Sequence, residues 1–171
     1  MFSRFGAIAL VAMLTAAAPV LADTVKVGDL EITNAWARAT PPGAATGAAY
    51  LTVTNKGAAP DTLTAIDTPV AGIAMLHKME MDNGVMKMRM VDGGIAIDPG
   101  KTVTLAPDGL HIMLMDMTEP LKAGGTLTLT VTFAKAGSAT VTMPILPVGS
   151  KGPDAKMDAM PGMDMSKPKG N

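Results

Sequence analysis

The 171-residue chain contains no cysteine. That absence removes disulfides, thiol nucleophiles, zinc–thiolate sites and the blue-copper centre with its cysteine ligand. Aromatic residues are almost as scarce, with one tryptophan, one tyrosine and three phenylalanines. A core must therefore be filled by Val, Leu, Ile and Met. Histidine occurs only twice, which leaves little for a general base or for a redox-active Cu(II) geometry. No Ser/His/acid or paired-carboxylate constellation stands out, so an enzyme is not expected. The balance of 14 Lys+Arg against 15 Asp+Glu gives no cationic excess, and nucleic acid, which wants a basic surface, is not an expected partner.

Long apolar runs are missing except at the start, where Arg4 precedes an uncharged stretch from Phe5 to Ala22. The stretch closes on Pro19-Val20-Leu21-Ala22, with small residues where a signal peptidase reads. Residues 1–22 are thus expected to be a secretory signal peptide and the mature chain to begin at Asp23, exported to the periplasm. A membrane anchor is the competing reading for a run of this length. Pro19, the alanines and the small-residue exit favour cleavage, so no stable membrane insertion of the mature chain is expected. With no cysteine after the run, a lipid anchor is excluded as well. Removing residues 1–22 takes away Arg4 and leaves 13 basic against 15 acidic side chains.

What is present after residue 22 is a series of short alternating runs. Leu30–Trp36, Ala49–Thr54 and Leu127–Phe133 are rich in β-branched residues with period two. Turn signals separate such runs: Pro41-Pro42-Gly43, Asn55-Lys56-Gly57, Asn83-Gly84, Asp98-Pro99-Gly100, Pro107-Asp108-Gly109 and Gly124-Gly125. This pattern predicts an all-β antiparallel sandwich over residues 23–147, with Trp36 in its core. Residues 148–171 are glycine, proline and charge with no strand-forming run, and are expected to be a flexible tail.

Methionine is abundant, with 16 in the chain. Five of them and one of the two histidines fall within His77–Met90, HKMEMDNGVMKMRM. Asn83-Gly84 between alternating residues signals a hairpin with a type I′ turn. Its register would set Met81 against Met86, Met79 against Met88 and His77 against Met90, all on one face. In His111-Ile-Met-Leu-Met-Asp-Met117 the His/Met residues again share one parity and Leu110, Ile112 and Leu114 the other. Methionine is an ordinary gap-filler of cores, and Met75 and Met143 are read that way; Met115 and Met117 suit either role. Packing does not explain Met157, Met160, Met163 and Met165, which lie in the tail.

Thioether sulfur is soft and uncharged, and together with imidazole it suits Cu(I) far better than hard ions or zinc. A cysteine-free His/Met site is therefore a sensible Cu(I) carrier in a compartment where thiols would be oxidised. The alternative is an exported interaction or oxidant-scavenging module whose exposed methionines hold no specific metal.

The same residues resemble the periplasmic PCu(A)C copper chaperones, whose signature is His (or Met), ten residues, Met, twenty-one residues, His-x-Met. His77 and Met88 enclose ten residues and His111-Ile112-Met113 supplies the last pair, with twenty-two residues between Met88 and His111. Ala35–Gly43 and Gly47–Asn55 are similar to that family's early strands. The resemblance implies a cupredoxin-like Greek-key β-sandwich and one Cu(I) held by His77, Met88, His111 and Met113. Met79 and Met90 are second-tier candidates on the hairpin face, and a second copper held through the tail is a further expectation. The implied role is delivery of copper towards cytochrome c oxidase assembly, to an oxidase subunit or a Sco-type protein, by a monomer.

Overall fold

The computed structural model describes residues 24–153. The expected signal peptide and the tail methionines Met157, Met160, Met163 and Met165 lie outside the described residues. In chain order the strands are β1 (Val25–Val27), β2 (Leu30–Arg38), β3 (Thr46–Asn55), β4 (Asp61–Asp67), β5 (Ala71–Asp82) and β6 (Val85–Met90). They continue with β7 (Ile95–Ile97), β8 (Thr102–Leu105), β9 (Leu110–Met117), β10 (Thr126–Phe133) and β11 (Gly137–Leu146). There is no helix among the described residues, and so none long and apolar enough to cross a membrane.

The strands form two layers. One runs β6-β5-β9-β3-β2, with β1 added to β2 and β8 to β3; the other runs β11-β10-β4-β7. The end of β11 joins the layers by a short parallel pairing, Ile145 with Ala37 and Leu146 with Arg38. Period-two sequences explain the layering. In β10, LTLTVTF buries Leu127, Leu129, Val131 and Phe133 and turns its threonines outward. From the first layer, Ile32, Leu51, Val53, Ile112 and Leu114 meet them, each at most 1% exposed. Aliphatic side chains, with Met143 and the single aromatic Phe133, thus fill the core among the described residues.

Trp36 departs from the expected pattern. Thr33 pairs with Thr52, but the next pair along the ladder is Trp36 with Tyr50. Asn34 and Ala35 together stand against Leu51, and Asn34 has φ 50°. This bulge reverses the alternation of the strand. Ala35 and Ala37 take the inner positions, and Trp36 moves to the outer face beside Tyr50, with ring centroids 4.4 Å apart. Trp36 is still buried, but outside the core between the sheets. The Arg38 guanidinium lies 6.0 Å from the Trp36 ring and 5.7 Å from that of Tyr50. Its Nη2 donates to the Ser150 carbonyl at 2.8 Å, drawing the chain after β11 onto this face.

At the opposite end Asp61 fastens two elements. Its Oδ1 accepts from the amides of Thr62 (2.7 Å) and Lys135 (2.9 Å), and its Oδ2 from that of Ala136 (2.8 Å). Burial pushes this carboxyl up, but the three amide donors and the Lys135 charge outweigh it and hold it below its ordinary value. Asp61→Asn, which must turn an amide NH₂ toward one of those donors, is expected to cost about 1.5–3 kcal/mol at neutral pH. Because the folded-state pKa is depressed, that stabilisation is present above the unfolded value and disappears as pH falls through the folded one. Urea denaturation of the two proteins should therefore show a gap that closes below about pH 4.

Candidate metal centre

The hairpin forms as its sequence dictates. Asn83 has φ 51° and Gly84 φ 79°, the positive pair a type I′ turn needs. The register sets Asp82 against Val85, Met81 against Met86, Met79 against Met88 and His77 against Met90. Asp82 and Val85 close the turn as a hydrogen-bonded pair. The methionine pairs consequently fall on the non-hydrogen-bonded rungs, where opposed Cα atoms are only about 4.5 Å apart. Gly84→Val would force a β-branched residue into the left-handed region at a cost of about 1–3 kcal/mol. Amide exchange of Lys78–Arg89 is expected to accelerate by about tenfold or more, with the core strands unchanged.

Strand β9 lies against the other side of β5. It pairs His111 with His77, Met113 with Met75, Met115 with Ile73 and Met117 with Ala71. Met90, His77 and His111 therefore stand in one row across three strands. The two imidazoles, the only ones in the chain, have centroids 5.9 Å apart and planes at 82°. One row toward the turn are Met79 and Met88; one row the other way are Met75 and Met113. Met88 and Met113 thus lie on opposite diagonals of the histidine row, while Met90 is directly across from His77. Ile112 and Leu114 take the inner face at 0% exposure, as the parity of β9 predicts.

The electrostatics suit a neutral donor set. His111 Nδ1 is 3.0 Å from the Gly109 carbonyl. That acceptor assigns the proton to Nδ1 and leaves the Nε2 lone pair free. Among the described residues His77 Nδ1 is buried with no hydrogen-bond partner, a costly state for a ring nitrogen unless something else binds the ring. Burial, and to a lesser degree the neighbouring His111, holds the His77 pKa below 6.5, so the ring is neutral at neutral pH. Acidic groups are directed elsewhere. Glu80 and Asp82 have the opposite parity and pair with Lys78 (2.7 Å), Lys87 (2.6 Å) and Arg89 (3.4 and 3.5 Å) on the reverse of the hairpin. Among the described residues no group of three or more His, Cys, Asp or Glu could hold an ion; imidazole and thioether are the donors on offer.

Of the two methionines read as core fillers, Met143 is a core residue at 0% exposure. Met75 is not: it is half-buried opposite Met113, on the same face as the histidines. Its parity with His77 and Met79 carries that signal. Met117 packs against the edge of the core. Tyr50, the next residue along the β3–β9 register from the Ala49–Ile112 pair, falls beside His111. Trp36 packs on Tyr50 on the same outer face because of the β2 bulge.

The described residues thus form a two-layer β-sandwich with imidazole and thioether side chains gathered on one outer sheet face. The chain belongs to the LpqE-like family, described as "Putative lipoprotein LpqE-like", whose model matches residues 30–145. A relative from Leifsonia xyli subsp. xyli (strain CTCB07), "Putative lipoprotein Lxx21020", is 31% identical over 116 residues, 68% of this chain and 69% of its own length. Among solved structures, the copper-bound PCuAC domain from PmoF2 is similar at 26% identity and a TM-score of 0.63, covering 73% of this chain and 98% of that domain. The Cu(I) form of DR1885 from Deinococcus radiodurans is 32% identical with a TM-score of 0.52, over 72% of this chain and 80% of that one. The fold is the cupredoxin-like β-sandwich of these PCuAC domains.

Proposed function

We propose that the protein is an exported copper chaperone that carries Cu(I) on the outer face of the β5–β6–β9 layer. The single observation behind this reading is the pairing of His77 with His111 across adjacent strands, one ring nitrogen buried without a partner among the described residues and the other ring oriented by Gly109. The similarity to the copper-bound PmoF2 domain and to the Cu(I) form of DR1885 supports it. Export is supported by the lipoprotein naming of the family and of its relative, together with the signal-peptide pattern.

His77 and His111 supply two imidazoles. Met113 and Met88 are the thioether ligands implied by motif spacing, and Met90 joins them because the register puts it in the histidine row. Met79 stands one rung away. No carboxylate or thiolate stands among these donors, so the ion's single positive charge is not neutralised and hard or divalent ions gain little. The methionines of β6 are about half exposed, Met88 at 48% and Met90 at 52%. An acceptor's ligand can therefore approach from solvent and displace them one at a time. Such exchange needs no redox step, and the protein acts as a carrier rather than an enzyme. Residues 23–147 would be the carrier domain, 148–171 an appended methionine-bearing segment, and cytochrome c oxidase assembly the destination, through an oxidase subunit or a Sco-type protein.

The direct test follows the imidazole nitrogens by NMR during anaerobic addition of Cu(I). One equivalent is expected to shift Nε2 of His111 and a ring nitrogen of His77 together. If neither ring responds, the assignment fails.

A further inference from the structure

Resting on the Cu(I)-carrier reading, we infer a second soft-metal site at the tip of the β5–β6 hairpin, built from Met79, Met81 and Met86, with Met88 shared between it and the histidine row. The opposed pair Met81–Met86 is the rung next to the turn, and Met79–Met88 is the following one. Successive rungs on one face are about 6.7 Å apart, two strand residues of rise. Long unbranched side chains on neighbouring rungs reach one another across such a diagonal.

Packing does not account for these residues. Met81 is 66% exposed and Met86 45%, and neither belongs to the core or its fringe. All six residues of β6 are exposed, so the hairpin tip covers nothing among the described residues. Charge is sorted completely: Lys78, Glu80, Asp82, Lys87 and Arg89 share the reverse face, where they pair with one another. The methionine face offers sulfur alone. Neutral thioethers without a carboxylate or imidazole select a soft monovalent cation, Cu(I) or Ag(I), and reject zinc and calcium.

Donors then continue unbroken from the tip, through Met79 and Met88, to Met90, His77 and His111. An ion taken at the exposed tip advances by replacing one thioether with the next. It keeps its single charge, and neither an electron nor a proton changes place. Met88 is the ligand common to both stations, consistent with its position on the turn side of the histidine row.

The test uses the mature chain with Met157→Leu, Met160→Leu, Met163→Leu and Met165→Leu, so that the tail adds no equivalents. It is labelled at the methionine methyls and titrated anaerobically with Cu(I) against a competing Cu(I) chelator. Two equivalents are expected, the second shifting the methyls of Met79, Met81 and Met86. Adding Met81→Leu and Met86→Leu should reduce the stoichiometry to one while both histidine rings still respond. Two retained equivalents in that variant, or unmoved Met81 and Met86 methyls in the parent, would overturn the tip site. Failure of the carrier reading has a separate signature, since the ring nitrogens of His77 and His111 would then stay unshifted whatever the tip methyls do.

Discussion

A chain carrying both His77→Ala and His111→Ala is expected to bind its first Cu(I) equivalent at least about 100-fold more weakly than the parent. Loss of a residue that merely orients a metal ligand commonly costs ten- to a hundredfold, and here two ligands go at once. The fold should survive. Among the described residues His77 makes no hydrogen bond through its buried Nδ1, and the His111 side chain bonds only the Gly109 carbonyl two residues away. Removing the rings also removes a buried unsatisfied nitrogen, which offsets part of the lost packing. Competition titration against a Cu(I) chelator measures the affinity, and urea denaturation in the absence of metal checks the fold. An affinity within threefold of the parent would show that sulfur alone holds the ion. His77→Met and His111→Met should recover part of the loss, since each restores a soft neutral donor at the same rung.

Ile112→Ala is expected to destabilise the protein by about 2–5 kcal/mol, the range for removing branched aliphatic bulk from a closed core. Ile112 has 0% exposure and lies between His111 and Met113 on β9, facing the second sheet. Met113→Leu, on the outer face of the same strand, keeps side-chain volume and should cost less than about 1.5 kcal/mol. The pair of substitutions separates the two faces of one strand. Ile112→Ala lowers the urea midpoint and leaves the metal ligands in place; Met113→Leu spares the midpoint and weakens Cu(I) binding. Equal midpoints would mean that the inner face of β9 does not carry the packing described above.

The site is more legible in the amino-acid order than the details of the fold. Asn83-Gly84 sets the turn and the turn sets the register. Period-two alternation then places His77, Met79, Met81, Met86, Met88 and Met90 on one face, all from local sequence. The parity of His111–Met117 likewise separates ligand candidates from core. Which strand lies beside the hairpin is not legible, because the β5–β9 pairing joins residues more than thirty positions apart and no local signal specifies it. Only that pairing brings the two rings together. The bulge at Asn34-Ala35 is hidden as well. An asparagine in a strand signals no more than tolerance of positive φ, and alternation carried through it puts Trp36 on the wrong side of the sheet. Met75 misleads for a simpler reason: apolar neighbours in sequence say little about a strand, where adjacent residues face opposite ways.

Among the described residues strand β6 ends its layer, so one row of its backbone N–H and C=O groups has no ladder partner there. Such a border invites a second molecule to extend the sheet. Here Lys87 and Arg89 alternate with the sulfurs along it, and two copies aligned border to border would bring cations against cations, an arrangement that opposes pairing. A strip of thioethers can therefore face solvent along a border whose own charges oppose stacking of one copy on another.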